Sequence, residues 1–221
     1  MTGEIKYLGE WAKHTFNYAI IGILVGIAIV CFFLSLDLLS SLFLQFLTGY
    51  SPPSPVNEPH FFSFRPLFGN ALSDCGWLLI LLALIPALGG LISGLIKYKL
   101  LRVEKPELHE TDVFIDAFHN EKGLIKGRDG LVRGVCSVLT LSSGGSAGRE
   151  GPSAMLGATI GSLLGRFLKV GDRERRKLVA AAAGAGIAAI FKSPLGGAFF
   201  GIETLYRRDM EVDALVPAII C

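Results

Sequence analysis

The chain has 221 residues, of which 51% are hydrophobic, and its mean hydropathy is +0.53. Only 18% of the residues are charged, against about 25% in soluble domains, and this balance indicates a membrane protein rather than a soluble enzyme. The net charge of +2, without a basic stripe interleaved with aromatics, argues against a nucleic-acid partner. The four cysteines show no disulfide or zinc spacing, and Cys31, inside an apolar segment, is expected to be buried.

Residues 1–15 predict a short interfacial helix on the cytoplasmic side, anchored by Tyr7 and Trp11. The charges before His14 and the length of the apolar run that follows do not fit a signal peptide. That run, 16–47, exceeds the roughly 20 residues needed to cross a bilayer, so it predicts a steeply tilted span.

A proline- and serine-rich loop is expected over 49–75, followed by a second span over 76–96 that Pro86 should kink. After a polar block, four shorter apolar helices are expected at 130–142, 153–168, 178–191 and 195–206, and another apolar segment begins at 212–221. Short, interrupted apolar helices are typical of transporters. The sequence therefore predicts an all-α, polytopic membrane fold with tilted and broken helices.

Lysine and arginine set the predicted orientation. They are dense over 97–133 and present near the N-terminus, whereas the 49–75 loop has only Arg65. The positive-inside rule then places the N-terminus and the 97–133 block in the cytoplasm and the loop outside, in a multi-pass protein of the cell membrane. Close helix packing is expected where glycines have GxxxG spacing, at Gly22/Gly26, Gly90/Gly94, Gly157/Gly161/Gly165 and Gly197/Gly201.

A glycine-rich segment, "SSGGSAGREGPSAMLGATIGS" at 142–162, leads into one of the short helices. A helix that starts near Gly151 and Pro152 presents amides without partners at its positive end, which together form an anion site. At that place the Glu150 carboxylate competes with an anion for the amides, so Glu150 is a candidate gate, proton carrier or both. The alternative is that Arg149 pairs with another acid and Glu150 only caps the helix.

Two other patterns were weighed. His109, Asp112, Asp116 and His119 share one helical face and can bind a transition metal. We favour instead the solvated face of an amphipathic helix capped by Thr111 or Asp112, with its apolar side, Val113, Phe114, Ala117 and Phe118, towards protein.

"GAGIAA" at 184–189 matches a dinucleotide-binding pattern but lacks the preceding strand that this motif needs. No metal and no cofactor is predicted.

Two motifs in order carry a resemblance to a known family. "GREGP" at 148–152 and "AAAAGAGIAAIFKSPLGGAFFGIETL" at 180–205 resemble the CLC family of chloride channels and proton-coupled chloride antiporters, and their prolines lie 42 residues apart. The resemblance implies two inverted repeats per subunit and a homodimer in which each subunit has its own pore. Residues 16–221 would form a CLC-type transmembrane domain that stops after the first repeat.

The resemblance also assigns roles. It implies chloride transport rather than an enzyme, with Glu150 as the gate and an anion site formed by Gly148, Arg149, Glu150, Gly151 and Pro152. Chloride, lipid and, for an antiporter, protons are the implied partners; channel and antiporter remain open. Because the second-repeat motifs are absent, the alternative is a split or non-transporting half-subunit that assembles with a partner polypeptide.

Two places depart from the family pattern. By spacing from Glu150, His109 falls where the family has an anion-coordinating serine. The family's internal proton-relay glutamate would fall on Thr204, with Glu203 one position earlier. The sequence therefore supports proton coupling through Glu203 and Thr204 less strongly than it supports gating by Glu150.

Overall fold

A computed structural model of the chain describes residues 2–52, 60–67, 76–101, 108–205 and 212–221. Over these ranges it is helical and contains no strand, which confirms the predicted fold class. The helices are α1 (Thr2–Ser40), α2 (Gly76–Ile96), α3 (Glu110–His119), α4 (Gly127–Ser142), α5 (Glu150–Phe167), α6 (Asp172–Phe191), α7 (Pro194–Glu203) and α8 (Val212–Ile220). Short π-helical turns continue α1 over Ser41–Phe46 and α2 over Lys97–Leu101.

The chain divides into two compact units, each assembled from separate stretches. The first unit comprises Met1–Ile29, Glu107–Leu131 and Arg149–Cys221. The second comprises Val30–Pro106 and Val132–Gly148.

In the first unit, α6 is the central helix because its alanines let neighbours approach on two sides. One side packs against α3 and α5 in a cluster that includes Phe114, Phe118, Met155, Val179 and Ile187. The other side packs against α1, α7 and α8 in a cluster that includes Tyr18, Ile21, Val25, Ala182 and Ile202. These clusters confirm that Phe114, Ala117 and Phe118 face protein.

Close backbone approach is confirmed along α5 and at α7. A methyl group added at Gly157 would meet the Ala182 carbonyl oxygen, and one at Gly201 would lie 2.6 Å from the Ala180 carbonyl oxygen. At Gly90 and Gly94 such a methyl group would meet nothing within 4 Å among the described residues, so the expectation is not met there. The spacing alone does not show whether a partner helix lies on that face.

The second unit has its own small-residue contact, between α2 and α4. The Ser93 hydroxyl donates to the Cys136 carbonyl oxygen at 3.1 Å, and the Cys136 thiol donates to the Ser93 carbonyl oxygen at 3.5 Å. Gly89 lies so close to Ser143 that an added methyl group would overlap the Ser143 side chain. These paired hydrogen bonds satisfy side-chain and carbonyl groups of α2 and α4 that would find no hydrogen-bond partner in lipid.

Several boundaries differ from those predicted. α1 runs without a break through residue 15, so the N-terminal segment and the apolar run form one continuous helix. α6 begins at Asp172, so the charged "DRERRK" segment is its first turns, with Asp172 and Glu174 at the positive helix end. Cys31 is exposed rather than buried, because it lies on the outer side of α1.

Among the described residues, two helical segments have the length and composition of membrane spans: Thr15–Phe46 and Leu79–Lys99. Within their most apolar windows, only 22% and 17% of the residues are buried inside the chain. A core helix of a soluble protein would be mostly buried, so these segments suit a lipid environment. The second span agrees with the predicted 76–96.

Candidate anion-binding site

The first turn of α5 contains the motif that the sequence singled out. Glu150 is the first residue of the helix and Arg149 precedes it without a side-chain cap. The first intrahelical bond runs from the Ser153 N–H to the Arg149 carbonyl oxygen at 3.2 Å, and the Ser153 hydroxyl donates to the same oxygen at 2.7 Å. The amides of Glu150 and Gly151 therefore have no intrahelical acceptor. Pro152 is tolerated in this turn because it needs no such bond.

The helix starts three residues earlier than the apolar pattern predicted. The prediction of 153–168 followed hydrophobicity, whereas α5 begins at Glu150. Glu150 is thereby part of the first turn, where a carboxylate suits the positive end of the helix dipole.

The start of α3 has a similar form. His109 occupies the position before the helix in extended backbone geometry (φ −64°, ψ 160°), and its side chain makes no capping bond. The Val113 N–H donates to the His109 carbonyl oxygen at 3.1 Å. The helix begins at Glu110, so the expectation that Thr111 or Asp112 caps it is wrong.

These two helix starts lie side by side. A methyl group added at Gly151 would lie 3.5 Å from the Thr111 hydroxyl oxygen and 3.7 Å from Glu110 Cβ. The positive ends of two helix dipoles are thus neighbours, an arrangement that repels unless negative charge lies close by. Carboxylates of the first turns and a bound anion are the two sources of such charge.

The Glu150 side chain is exposed, whereas the residues that follow it, Pro152 to Met155, are buried. Within the part of the chain that the structure describes, the Glu150 carboxylate has no hydrogen bond or ion pair. It is free to change rotamer, while the turn beneath it is held firmly. A methyl group added at Gly186 of α6 would meet the Ser153 carbonyl oxygen, so the two backbones touch there.

The remaining predicted site residues lie at the start of α5 and at the end of α7. Gly148 is exposed and directly precedes Arg149 in the chain. Glu203 is the exposed last residue of α7, and the Thr204 N–H that follows donates to the Phe200 carbonyl oxygen at 3.0 Å. Leu205, the next residue, belongs to the buried cluster that α3, α5 and α6 share.

The set of possible metal ligands on α3 does not form a site in the described residues. No group of three His, Cys, Asp or Glu side chains that could hold a metal ion occurs within those ranges. Asp116 accepts a hydrogen bond from the Asn120 amide at 2.7 Å, and the His119 ring lies edge-on to Phe118, with centroids 5.1 Å apart. "GAGIAA" lies inside α6, where no strand precedes it.

Two residues of the site were missed by sequence reasoning. Thr111 contributes the hydroxyl nearest to Gly151, and Ser153, completely buried, ties the first turn of α5 together. Ser153 has a recognisable signal, a hydroxyl four residues after the start of the turn. Thr111 has none, because its position depends on how α3 packs against α5.

Comparison with known proteins decides the family. The model of the family described as "Voltage gated chloride channel" matches residues 89–221, a range that contains α3, α5 and both motifs. The chain belongs to this family. The predicted CLC resemblance is thereby confirmed, as is its membrane class.

Individual relatives support the same family assignment. A voltage-gated ClC-type chloride channel ClcB of Yersinia pseudotuberculosis is 33% identical over 155 residues, which are 70% of this chain and 36% of that protein. A ClcB of Salmonella typhimurium is 30% identical over 91% of this chain and 43% of its own length. A chloride/fluoride channel protein of Pseudomonas syringae pv. tomato is 30% identical over 53% of this chain and 26% of its own. The chain thus spans less than half the length of these CLC relatives.

Proposed function

We propose that this CLC chain takes part in chloride transport, with an anion site at the adjoining starts of α3 and α5 and with Glu150 as its gate. The observation that carries the proposal is the contact of Gly151 with the first turn of α3. It puts two sets of helix-start amides next to one exposed carboxylate. Amide partial charges bind an anion and still release it, as conduction requires.

The anion specificity follows from the donors. Helix amides, the Thr111 hydroxyl and the backbone next to His109 are neutral donors suited to a monovalent anion. The names of the relatives include both chloride and chloride/fluoride channels. We propose chloride as the principal anion. Proton-coupled antiport would involve Glu203 and Thr204, and we rank it below the channel mode because Thr204 falls where the family has its proton-relay glutamate.

Chloride efflux from liposomes tests the gate, with the chain reconstituted together with the second-repeat polypeptide that we propose completes the pore. Glu150→Gln and Glu150→Ala should both raise efflux at neutral pH to the level that the unmodified protein reaches in acid. Both remove the charge that competes for the amides. Unchanged pH dependence in both variants would show that the gate lies elsewhere.

We propose as a second candidate the half-subunit that the sequence leaves open, which assembles with a partner polypeptide. Co-purification with a second-repeat polypeptide, with restored anion efflux, identifies a split transporter. A stable assembly that moves no anion identifies a structural subunit.

A further inference from the structure

In the second unit, an extended segment at 60–67, here called the strap, lies along the C-terminal end of α1 and its π-helical continuation. Three polar side chains of the helix hold it: Asp37, Ser41 and Gln45. They are spaced four residues apart, so they form one polar stripe on the helix. The remainder of this helical segment is strongly apolar.

Of these three side chains, Asp37 makes the most contacts with the strap. One carboxylate oxygen accepts hydrogen bonds from the backbone N–H groups of Phe61 at 2.7 Å and Phe62 at 3.1 Å. The other lies 2.9 Å from His60 Nδ1. The Ser41 hydroxyl then donates to the Phe62 carbonyl oxygen at 2.8 Å. Asp37 is only 8% exposed, so the strap covers it.

The other end of the strap is held at Gln45 and Phe46. The Phe64 N–H donates to Gln45 Oε1 at 3.0 Å, and the Leu67 N–H donates to the Phe46 carbonyl oxygen at 2.7 Å. The Phe46 and Phe64 rings lie edge-to-face with centroids 6.5 Å apart. Several strap backbone groups are therefore satisfied by the helix, which is the condition for irregular chain to lie against lipid.

The charge pattern of α1 gives the depth of the strap. From Thr15 to Leu36 the helix carries no charged residue. These 22 residues are about 33 Å long at 1.5 Å per residue, close to the roughly 30 Å of bilayer hydrocarbon. Asp37 is the first ionisable residue after that stretch, although the apolar segment continues to Phe46. We therefore place Asp37 at the edge of the hydrocarbon and the strap that it holds at the interface.

The strap exposes three large apolar side chains. Phe61 is 63% exposed, Phe64 37% and Leu67 55%. The polar side chains of His60, Ser63 and Arg65 are exposed beside them, a mixture that suits the boundary between acyl chains and headgroups. On the neighbouring helix, Leu38 and Leu42 are also exposed, so the strap continues the lipid-facing surface of the span. Large apolar side chains at an interfacial depth are stabilised by the acyl–headgroup boundary.

We propose that the strap is a membrane-interface anchor: Asp37, Ser41 and Gln45 hold its backbone, and Phe61, Phe64 and Leu67 insert into the lipid boundary. The partner is the lipid surface itself. The strap thereby fixes where this end of α1 leaves the bilayer.

Tryptophan quenching tests the location. In the full chain with Trp11→Phe and Trp77→Phe, Phe61→Trp and Phe64→Trp are made singly and reconstituted in phosphatidylcholine vesicles. Lipids brominated near the headgroup should quench both more than lipids brominated near the chain end. Ile27→Trp, exposed in the charge-free part of α1, is the control and should show the opposite order.

Two outcomes overturn the proposal. Quenching of Phe61→Trp by aqueous iodide, and by neither brominated lipid, would make the strap an ordinary solvent loop. Quenching by no agent would mean that protein, from another chain or a second copy, covers it.

A matched serine pair tests the holding contacts. Ser41→Ala removes the bond to the strap, whereas Ser35→Ala removes a bond within α1, from its hydroxyl to the Cys31 carbonyl oxygen. In the Phe61→Trp background, Ser41→Ala should shift quenching towards iodide and Ser35→Ala should not. Equal behaviour of the two variants would contradict the role of the polar stripe.

Discussion

At the scale of single residues, glycine contacts determine how closely the helices of the first unit approach. A methyl group at Gly157 would meet the Ala182 carbonyl oxygen, whereas one at Gly26 would meet nothing within 4 Å. Gly157→Ala should lower the free energy of unfolding by about 1–3 kcal/mol through overpacking. Gly26→Ala, the control, should leave it unchanged or raise it by up to about 1 kcal/mol through helix propensity. Denaturant unfolding in micelles, followed by circular dichroism, measures both; equal losses would contradict the packing.

Residue-scale prediction from the sequence succeeded where another helix lies directly against the glycine face. The spacing at Gly157, Gly161 and Gly165 predicted close packing, and α6 is there to receive it. The same spacing at Gly90 and Gly94 met no neighbour in the described chain. GxxxG spacing indicates that a second helix can approach the glycine face closely. Tertiary packing determines whether a second helix lies there.

At the scale of elements, a polar clamp joins the turn after α3 to the start of α6. Arg175, largely buried, donates to the Lys122 carbonyl oxygen at 3.0 Å and to Asp172 at 2.7 Å. Lys122 Nζ lies 3.2 Å from the other Asp172 oxygen. Hydrogen bonds from Lys122, then from Arg175, lower the pKa of Asp172 below its ordinary 3.8. Asp172 lies outside the two candidate spans.

The pH dependence follows from the sign of this shift. A carboxyl whose pKa is lowered by folding stabilises the fold above its unfolded pKa, and this contribution disappears as the pH falls through the folded value. Asp172→Asn should therefore lower the unfolding midpoint at neutral pH and flatten its decline below pH 3.8. Glu121→Gln, at an exposed carboxylate in the turn after α3, is the control. Parallel midpoint–pH curves for the unmodified chain and Asp172→Asn would refute the clamp.

Element boundaries were predictable to different degrees, for physical reasons. The bounds of α2 match the prediction, because its apolar run coincides with the helix. The apolar pattern placed the starts of α5 and α6 too late, because Glu150 and the charged residues after Gly171 are polar yet favoured at a positive helix end. The glycine-rich motif placed the α5 start near Gly151, next to the observed start at Glu150. The candidate site could be predicted as far as the α5 start. Its contact with Thr111 could not, since it depends on tertiary packing.

At the scale of the whole molecule, the open question is its orientation in the membrane. The positive-inside rule predicts that the block containing Lys126 is cytoplasmic and that the end of α1 near Ser51 is external. Both residues are exposed, so each can carry a labelling site. We expect the charge-free stretch of α1 to cross the bilayer once, which would separate its two ends.

Thiol labelling of intact cells tests this orientation. In a background with all four cysteines replaced by serine or alanine, Ser51→Cys should react with a membrane-impermeant maleimide added outside. Lys126→Cys should react only after the membrane is permeabilised, because retained positive charge holds its block on the cytoplasmic side. The reverse pattern would invert the topology. It would also place the strap at the cytoplasmic interface and leave its proposed lipid anchoring intact, since that depends on depth rather than on side.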